Sequence, residues 1–178
     1  FLLCIAGLTG CDTRLDQARS SGNPHASGNS QSMPTNTTLY SDKPLPKLPT
    51  AKLWIGKHEI ASEIAASSKE LATGMMHRDS IGEDEGMLFI LPYPHRASFY
   101  MRNTKVPLSC AYIDAEGAIL EIHDLQPFNE EPVFAKSNDI QFVLETKQGW
   151  FDRHEVRIGS VIRTEYGTLR ETFFKRRP

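Results

Sequence analysis

Short apolar runs, broken at regular intervals by turn-forming residues, constrain this 178-residue chain more than any other feature. Residues 52–55 and 58–65 flank Gly56-Lys57, the pattern of a hairpin. Residues 87–91 are apolar throughout, as in a strand covered on both faces, and Pro92-Tyr93-Pro94 is expected to break them. Residues 97–101, 109–114, 118–125 and 140–146 read as further strands, and residues 156–166 as a last strand or pair. Alternation sets Leu120 and Ile122 opposite Glu121 and His123, and Phe142 and Leu144 opposite Gln141 and Glu145. One segment reads as a principal helix. Ser67 and Glu70 have the spacing of a capping box, and the helix should run to about His77 with Leu71, Met75 and Arg78 on one face. Gln148 to His154 has room for one helical turn. The pattern predicts a mainly β (α+β) fold: a compact, antiparallel, barrel-like domain over residues 51–178 with one principal helix.

The residues ahead of that domain have a different character. Residues 1–11 open with an apolar run too short to span a bilayer but suited to the core of a secretory signal. With no initiator Met and no basic leader, the run reads as starting inside a longer precursor. Leu8-Thr9-Gly10-Cys11 looks like a bacterial lipobox, which makes Cys11 the expected lipid attachment site. Asp12 directly after it resembles an inner-membrane retention signal of some Gram-negative bacteria. Residues 12–50 are rich in Ser, Gly, Asn, Thr and Pro and are expected to form a disordered tether. Within it, Pro44-Leu45-Pro46-Lys47-Leu48-Pro49 should be extended and semi-rigid. A flexible coil of that length reaches on the order of 35 Å, enough to hold a domain near a membrane.

Composition narrows the function. The formal charge is −2, and no basic stripe with interleaved aromatics appears, so nucleic acid is not an expected partner. Lys175-Arg176-Arg177 reads as a solvated tail. Cys110 is the one cysteine of the folded domain and reads as a small core hydrophobe. The chain has no Gly-rich phosphate loop, His-Glu-x-x-His, Cys-x-x-Cys or Gly-x-Ser-x-Gly. Met75, Met76, His77, His95 and Met101 could be soft-metal ligands, but their apolar or edge positions favour packing. Arg78 is more telling. A guanidinium at the end of an apolar stripe needs a carboxylate, and Glu85 and Glu145 are the expected partners, with Asp84 a weaker one. Asn103, followed by Thr104, should lie on the inward face of Phe99 and Met101, there to cap a loop or to orient a small polar ligand. Phe99, Tyr100, Tyr93 and Trp54 could wall such a pocket.

Residues 73–117 hold four of the five methionines and a series of ordered motifs. These are Gly74-Met75-Met76-x-Arg78, then Gly86-Met87-Leu88-Phe89, then Phe99-x-Met101-x-Asn103-Thr104-x-x-Pro107-Leu108. The chain resembles, on these motifs, the prokaryotic family called domain of unknown function 192, from about Leu53 to Ile162. The family pattern has Trp where Tyr100 stands, Lys where Arg102 stands and an acid where Ser109 stands. The resemblance implies a fold and no activity. The leading expectation is a non-catalytic binding or accessory module at the cell envelope, without cofactor, facing the periplasm or exterior. Its expected partners are the membrane, through Cys11, and a small polar ligand or an envelope protein. An envelope enzyme acting on a carbohydrate or other polar small molecule is the alternative, and a copper binder through Met and His is another.

Overall fold

The opening hairpin forms as its spacing predicts. β1 (Thr50–Ile55) and β2 (His58–Ala65) pair antiparallel with Ile55 opposite His58, and Gly56 supplies the positive φ of the turn. The computed structural model of the chain describes residues 39–174. The expected lipobox and most of the expected tether, like Lys175-Arg176-Arg177, lie outside those residues. Residues 41–49 carry neither helix nor strand, yet Leu45 and Leu48 are buried in the core. Packing therefore begins ahead of residue 51. Pro44 and Pro46 flank Leu45 and Pro49 follows Leu48, and these prolines restrict the chain before it docks, which lowers the entropy lost on docking.

α1 (Ser68–Thr73) starts at the expected capping box, with Ser67 and Glu70 each satisfying the other's backbone N–H. It stops four residues short of His77, at Gly74, which takes φ 48° and ψ −128°. A Cβ on Gly74 would lie 2.9 Å from the ring of Phe89, so a glycine is needed for conformation and for contact alike. A turn over residues 74–77 follows, and Arg78 lies beyond the helix rather than on it. At six residues, α1 is still the longest helix among the described residues.

The chain continues through β3 (Glu85–His95), β4 (Ser98–Phe99), β5 (Leu108–Ile113), β6 (Ile119–Leu125), β7 (Val133–Phe134) and β8 (Ile140–Lys147). It ends with α2 (Trp150–Arg153), β9 (Ile162–Thr164), β10 (Gly167–Thr168) and α3 (Leu169–Phe173). Eight strands form one sheet in the order β10-β9-β1-β2-β3-β8-β5-β6, while β4 and β7 make a separate ribbon. Every pairing is antiparallel except β2 with β3, and the crossover which that parallel pair requires carries α1. Near the two edges, Ile119 N–H donates to Ser160 O (2.9 Å) and Ile162 N–H to Gly117 O (2.8 Å). The sheet curls towards a barrel without closing into one.

Three details differ from expectation. Pro92-Tyr93-Pro94 does not end β3; the strand runs on to His95 through a register shift after Ile90, an irregularity of the kind that accommodates proline. In β6 a bulge between Tyr112 and Ile113 of its partner moves Leu120 away from Ile122, so Leu120 packs in one core and Ile122 in the other. α3 was not foreseen, although Thr168 and Glu171 form a capping box at its start.

Alternation divides the core in two. Leu88, Ala111 and Leu144 are cross-strand partners in one cluster, with Leu53, Ile55, Phe142, Trp150 and Ile162. Met87, Cys110 and Glu145 are partners on the opposite face, next to Phe89, Tyr112 and Val143. The first face is sealed by Trp150 and Phe151 of α2 and by Leu169 of α3. The second packs against Leu71, Met75, Ala97, Phe99, Met101 and, from the strap formed by residues 41–49, Leu45 and Leu48.

Candidate functional site

β8 is buried on both faces from Ile140 to Thr146, so the residue opposite Leu144 does not face water. That residue is Glu145. Its cross-strand neighbours are Met87 on β3 and Cys110 on β5, and only 4 % of its surface is exposed. Among the described residues its carboxyl makes no hydrogen bond and no ion pair. Burial alone pushes its pKa up to about 8, so the acid is mostly protonated at neutral pH. The same burial holds the Cys110 thiol well above its ordinary value, with the nearby Glu145 adding to the shift. Cys110 is therefore an unreactive core residue, as its apolar neighbours imply.

Glu145 borders a pocket of about 190 Å³ that opens to solvent. Leu71, Met75 and Met76 line it from α1 and the turn that follows, Phe89 and Leu91 from β3, and Phe99 from β4. The rings of Phe89 and Phe99 meet edge to face at 4.8 Å. Thr104 and Tyr100 also border the pocket, as does His95. Thr104 Oγ1 donates to Arg102 O at 3.2 Å, so that hydroxyl proton is taken. The sequence motifs thus come together: Gly74-Met75-Met76, Phe89 and Thr104 belong to three separate motifs and line one cavity. Gly86 has a packing reason too. A Cβ there would meet Glu145 O at 2.8 Å, and its absence lets β3 lie against the strand that carries the acid.

Arg78 finds a carboxylate, but not one of those expected. Its guanidinium donates to Glu63 Oε2 at 2.9 Å, with both side chains mostly buried. Leu48 N–H donates to the same oxygen at 2.7 Å. Glu63 therefore ties the strap, β2 and the segment after α1 together. Glu85 instead accepts from Gly82 N–H at 2.9 Å within its own turn, and Glu145 belongs to the other pocket. Sequence reading missed Glu63 because the parallel β2–β3 crossover that brings it to Arg78 is not a local pattern. Arg78 and Glu85 do border a shared concavity of about 130 Å³, with Lys47 and Ser80. Arg78 Nε is buried there without a partner among the described residues.

Asn103 lies outside both cavities. It is exposed, with φ 54°, and its carbonyl accepts from His77 N–H at 2.8 Å. The chain leaves its extended path after Met101, which turns Asn103 outward; asparagine tolerates that left-handed conformation. Of the aromatics, Phe99 and Tyr100 border the Glu145 pocket, while Tyr93 is exposed and Trp54 lies on β1. Of the soft ligands, Met75, Met76 and His95 border the pocket, Met101 is core and His77 Nε2 lies 3.3 Å from Ser41 O.

A second buried acid offers a contrast. Glu121 was expected on a polar face, yet it is buried opposite Tyr112. Burial opposes its charge, but hydrogen bonds from His123 and from the Lys136 and Ser137 N–H groups hold it below the usual carboxylate value. Glu121 is an acid held by hydrogen bonds, whereas Glu145 receives none from the described residues and borders an open pocket.

The family model described as "Uncharacterized ACR", domain of unknown function 192, matches residues 51–164. Among solved structures, a protein of unknown function from Novosphingobium aromaticivorans DSM 12444 is similar at 30 % identity and a TM-score of 0.62, over 65 % of this chain and 86 % of that one. A protein from Sinorhizobium meliloti 1021, described as a candidate transcription regulator, is similar at 26 % identity and a TM-score of 0.61, over 65 % of this chain and 92 % of that one. No curated protein matches the chain.

Proposed function

This chain belongs to the domain of unknown function 192 family, and we propose that it serves as a non-catalytic binding module of the cell envelope, tethered by a lipid on Cys11. One observation supports binding above the others: an open pocket of about 190 Å³ with an unpartnered, buried carboxyl in its wall. A buried polar group without its hydrogen bonds costs roughly 1–3 kcal/mol, and space left unfilled in a core forfeits packing as well. A ligand would recover both. Glu145 is the one carboxylate bordering the pocket among the described residues, whereas glycoside hydrolysis needs two that converge. Binding is thus favoured over hydrolysis. The anchor rests on Leu8-Thr9-Gly10-Cys11 and the polar residues after it.

Two experiments test the halves separately. A set of small apolar compounds carrying one polar group, screened by ligand-observed NMR, should give binders to the full chain. Those binders should be lost on Ala72→Phe, which fills the pocket from α1. Binders unaffected by Ala72→Phe, or no binders, would contradict the pocket as the site. For the anchor, Cys11→Ala in a full-length precursor should move the protein from the membrane to the soluble fraction. Unchanged partitioning would contradict it.

A further inference from the structure

The geometry points to a specific ligand class for the Glu145 pocket: a small primary or secondary ammonium ion on a compact apolar body, with the ammonium paired to the Glu145 carboxylate. This rests on the binding reading above and deepens it. The wall is mixed: Leu71, Met75, Met76, Phe89, Leu91 and Phe99 give it an apolar side, and His95, Ser98 and Thr104 add polar groups to that of Glu145. Aromatic rings and thioethers beside a polar terminus accommodate the alkyl groups and the charge of an organic cation. The volume sets the size. A cavity of roughly 150 Å³ holds benzene, so about 190 Å³ takes a ring or a short branched chain plus a head group.

Charge sets the head group. No Lys or Arg borders the pocket among the described residues, which leaves His95 as the one side chain there that could answer an anion. The titratable groups around Glu145 are few. On β5, Cys110 and Tyr112 are held neutral by burial, and the Tyr112 hydroxyl donates to Val133 O. At the end of β3, His95 Nδ1 lies 2.9 Å from Tyr93 O. From α1 and its turn come Leu71, Ala72, Thr73, Gly74, Met75 and Met76, none of which titrates in this range. Met87 of β3 is apolar. Among the described residues Glu145 is the one carboxyl bordering the pocket, and none of them pairs with it.

The proton balance follows. In the empty pocket at neutral pH, Glu145 is mostly a neutral acid. A ligand ammonium enters with its charge, the carboxyl releases its proton to solvent, and the product is a carboxylate–ammonium pair. Ionising the buried acid is unfavourable below its raised pKa, and at neutral pH the ammonium pair must offset that cost. Affinity should therefore rise with pH, approaching tenfold per unit below about 8 and levelling above it. A neutral alcohol whose oxygen accepts a hydrogen bond from protonated Glu145 should show the reverse trend.

The test is calorimetric, on the full chain, with two matched sets: benzylamine, benzyl alcohol and benzoate; and 3-methylbutylamine with 3-methylbutanol. At least one amine should bind more tightly than its alcohol and release up to one proton per site, measured in buffers of different ionisation enthalpy. Benzoate should not bind. Glu145→Gln should weaken the amine roughly ten- to a hundredfold, the effect of losing a charge-assisted bond, and abolish proton release. Ala72→Phe, with Glu145 intact, should block every ligand. Alcohols binding as tightly as their amines, with no proton released, would overturn the amine assignment and leave the pocket as a binding site. No amine or alcohol binding at all would overturn the amine assignment. If the wider screen also found no ligand lost on Ala72→Phe, the pocket reading would fall with it.

Discussion

The two faces of one sheet have been put to different uses. On one, Leu53, Leu88, Phe142, Leu144, Trp150 and Ile162 interlock, and helices α2 and α3 seal them. On the other, the same strands present Met87, Cys110 and an acid, and the covering elements leave an open pocket. Strands β3, β5 and β8 contribute to both, so the contrast does not arise from strand propensity. It arises from what covers each face. The sealed face is covered by large aromatics. The open face is covered by a six-residue helix that ends on a glycine, a strap and a two-stranded ribbon. The first face has an open groove of about 490 Å³ at its rim, bordered by Ile122 and Val156, whereas on the second the cavity lies beside a buried acid.

The largest effect should come from the sealed face. Trp150 is wholly buried there, and Trp150→Ala should destabilise the fold by about 3–5 kcal/mol in chemical denaturation. Leu71→Ala on the pocket side, where the side chain is only partly buried, should cost distinctly less. Equal costs would mean that the two faces are packed alike.

Next comes the staple that holds the open face in place. Arg78→Ala leaves Glu63 mostly buried beside the Leu48 N–H and should cost on the order of 3 kcal/mol. Because the pair lies outside the Glu145 pocket, ligand affinity measured well below the unfolding transition should be unchanged. A variant as stable as the parent would show that Glu63 is satisfied without Arg78.

The fold was legible where the signal was local. The Gly56-Lys57 hairpin, the Ser67/Glu70 cap and the period of β8 can each be read within a few residues, and each formed. The early end of α1 was not legible, because the reason Gly74 must be glycine is the ring of Phe89, which arrives from β3. Burial of Glu145 was hidden for a similar reason. Alternation correctly put it opposite Leu144, but whether that side met water depended on the strap, α1 and the β4–β7 ribbon. Arg78, Glu85, Asn103, Thr104 and Glu145, the candidates in the sequence, do not come together in one place. Thr104 and Glu145 border one cavity, Arg78 and Glu85 another, and Asn103 borders neither. The second capping box, Thr168 to Glu171, is equally local, although α3 was not expected.

A third prediction separates the two buried acids. The folded-state pKa of Glu145 is raised, so its protonated form is bound more tightly in the native state. Its contribution is fully present below the unfolded value near 4.5 and is lost as pH rises through about 8. Denaturation of wild type and Glu145→Gln across that range should give curves that diverge by up to about 1.4 kcal/mol per pH unit, with the variant favoured at the alkaline end. Glu121→Gln should do the opposite, losing stability chiefly above the ordinary carboxylate range, because hydrogen bonds favour the Glu121 charge. Parallel behaviour of the two variants would remove the distinction between an acid held by hydrogen bonds and one that receives none from the described residues.

The smallest effect concerns Asn103, exposed and in the left-handed region. Asn103→Ala should cost about 1 kcal/mol through backbone strain, Asn103→Gly close to nothing, and neither should alter binding in the pocket. A change in ligand affinity with either variant would return Asn103 to the site.

The most direct measurement of the central claim is an NMR titration of the Glu145 side-chain carboxyl carbon in the ligand-free full chain, assigned by its loss in Glu145→Gln. The account predicts a midpoint near 8, set by burial in a pocket that supplies no partner. A midpoint in the ordinary glutamate range, near 4.5, would mean that the open face is wet or its acid already paired, and the contrast between the two faces would be lost.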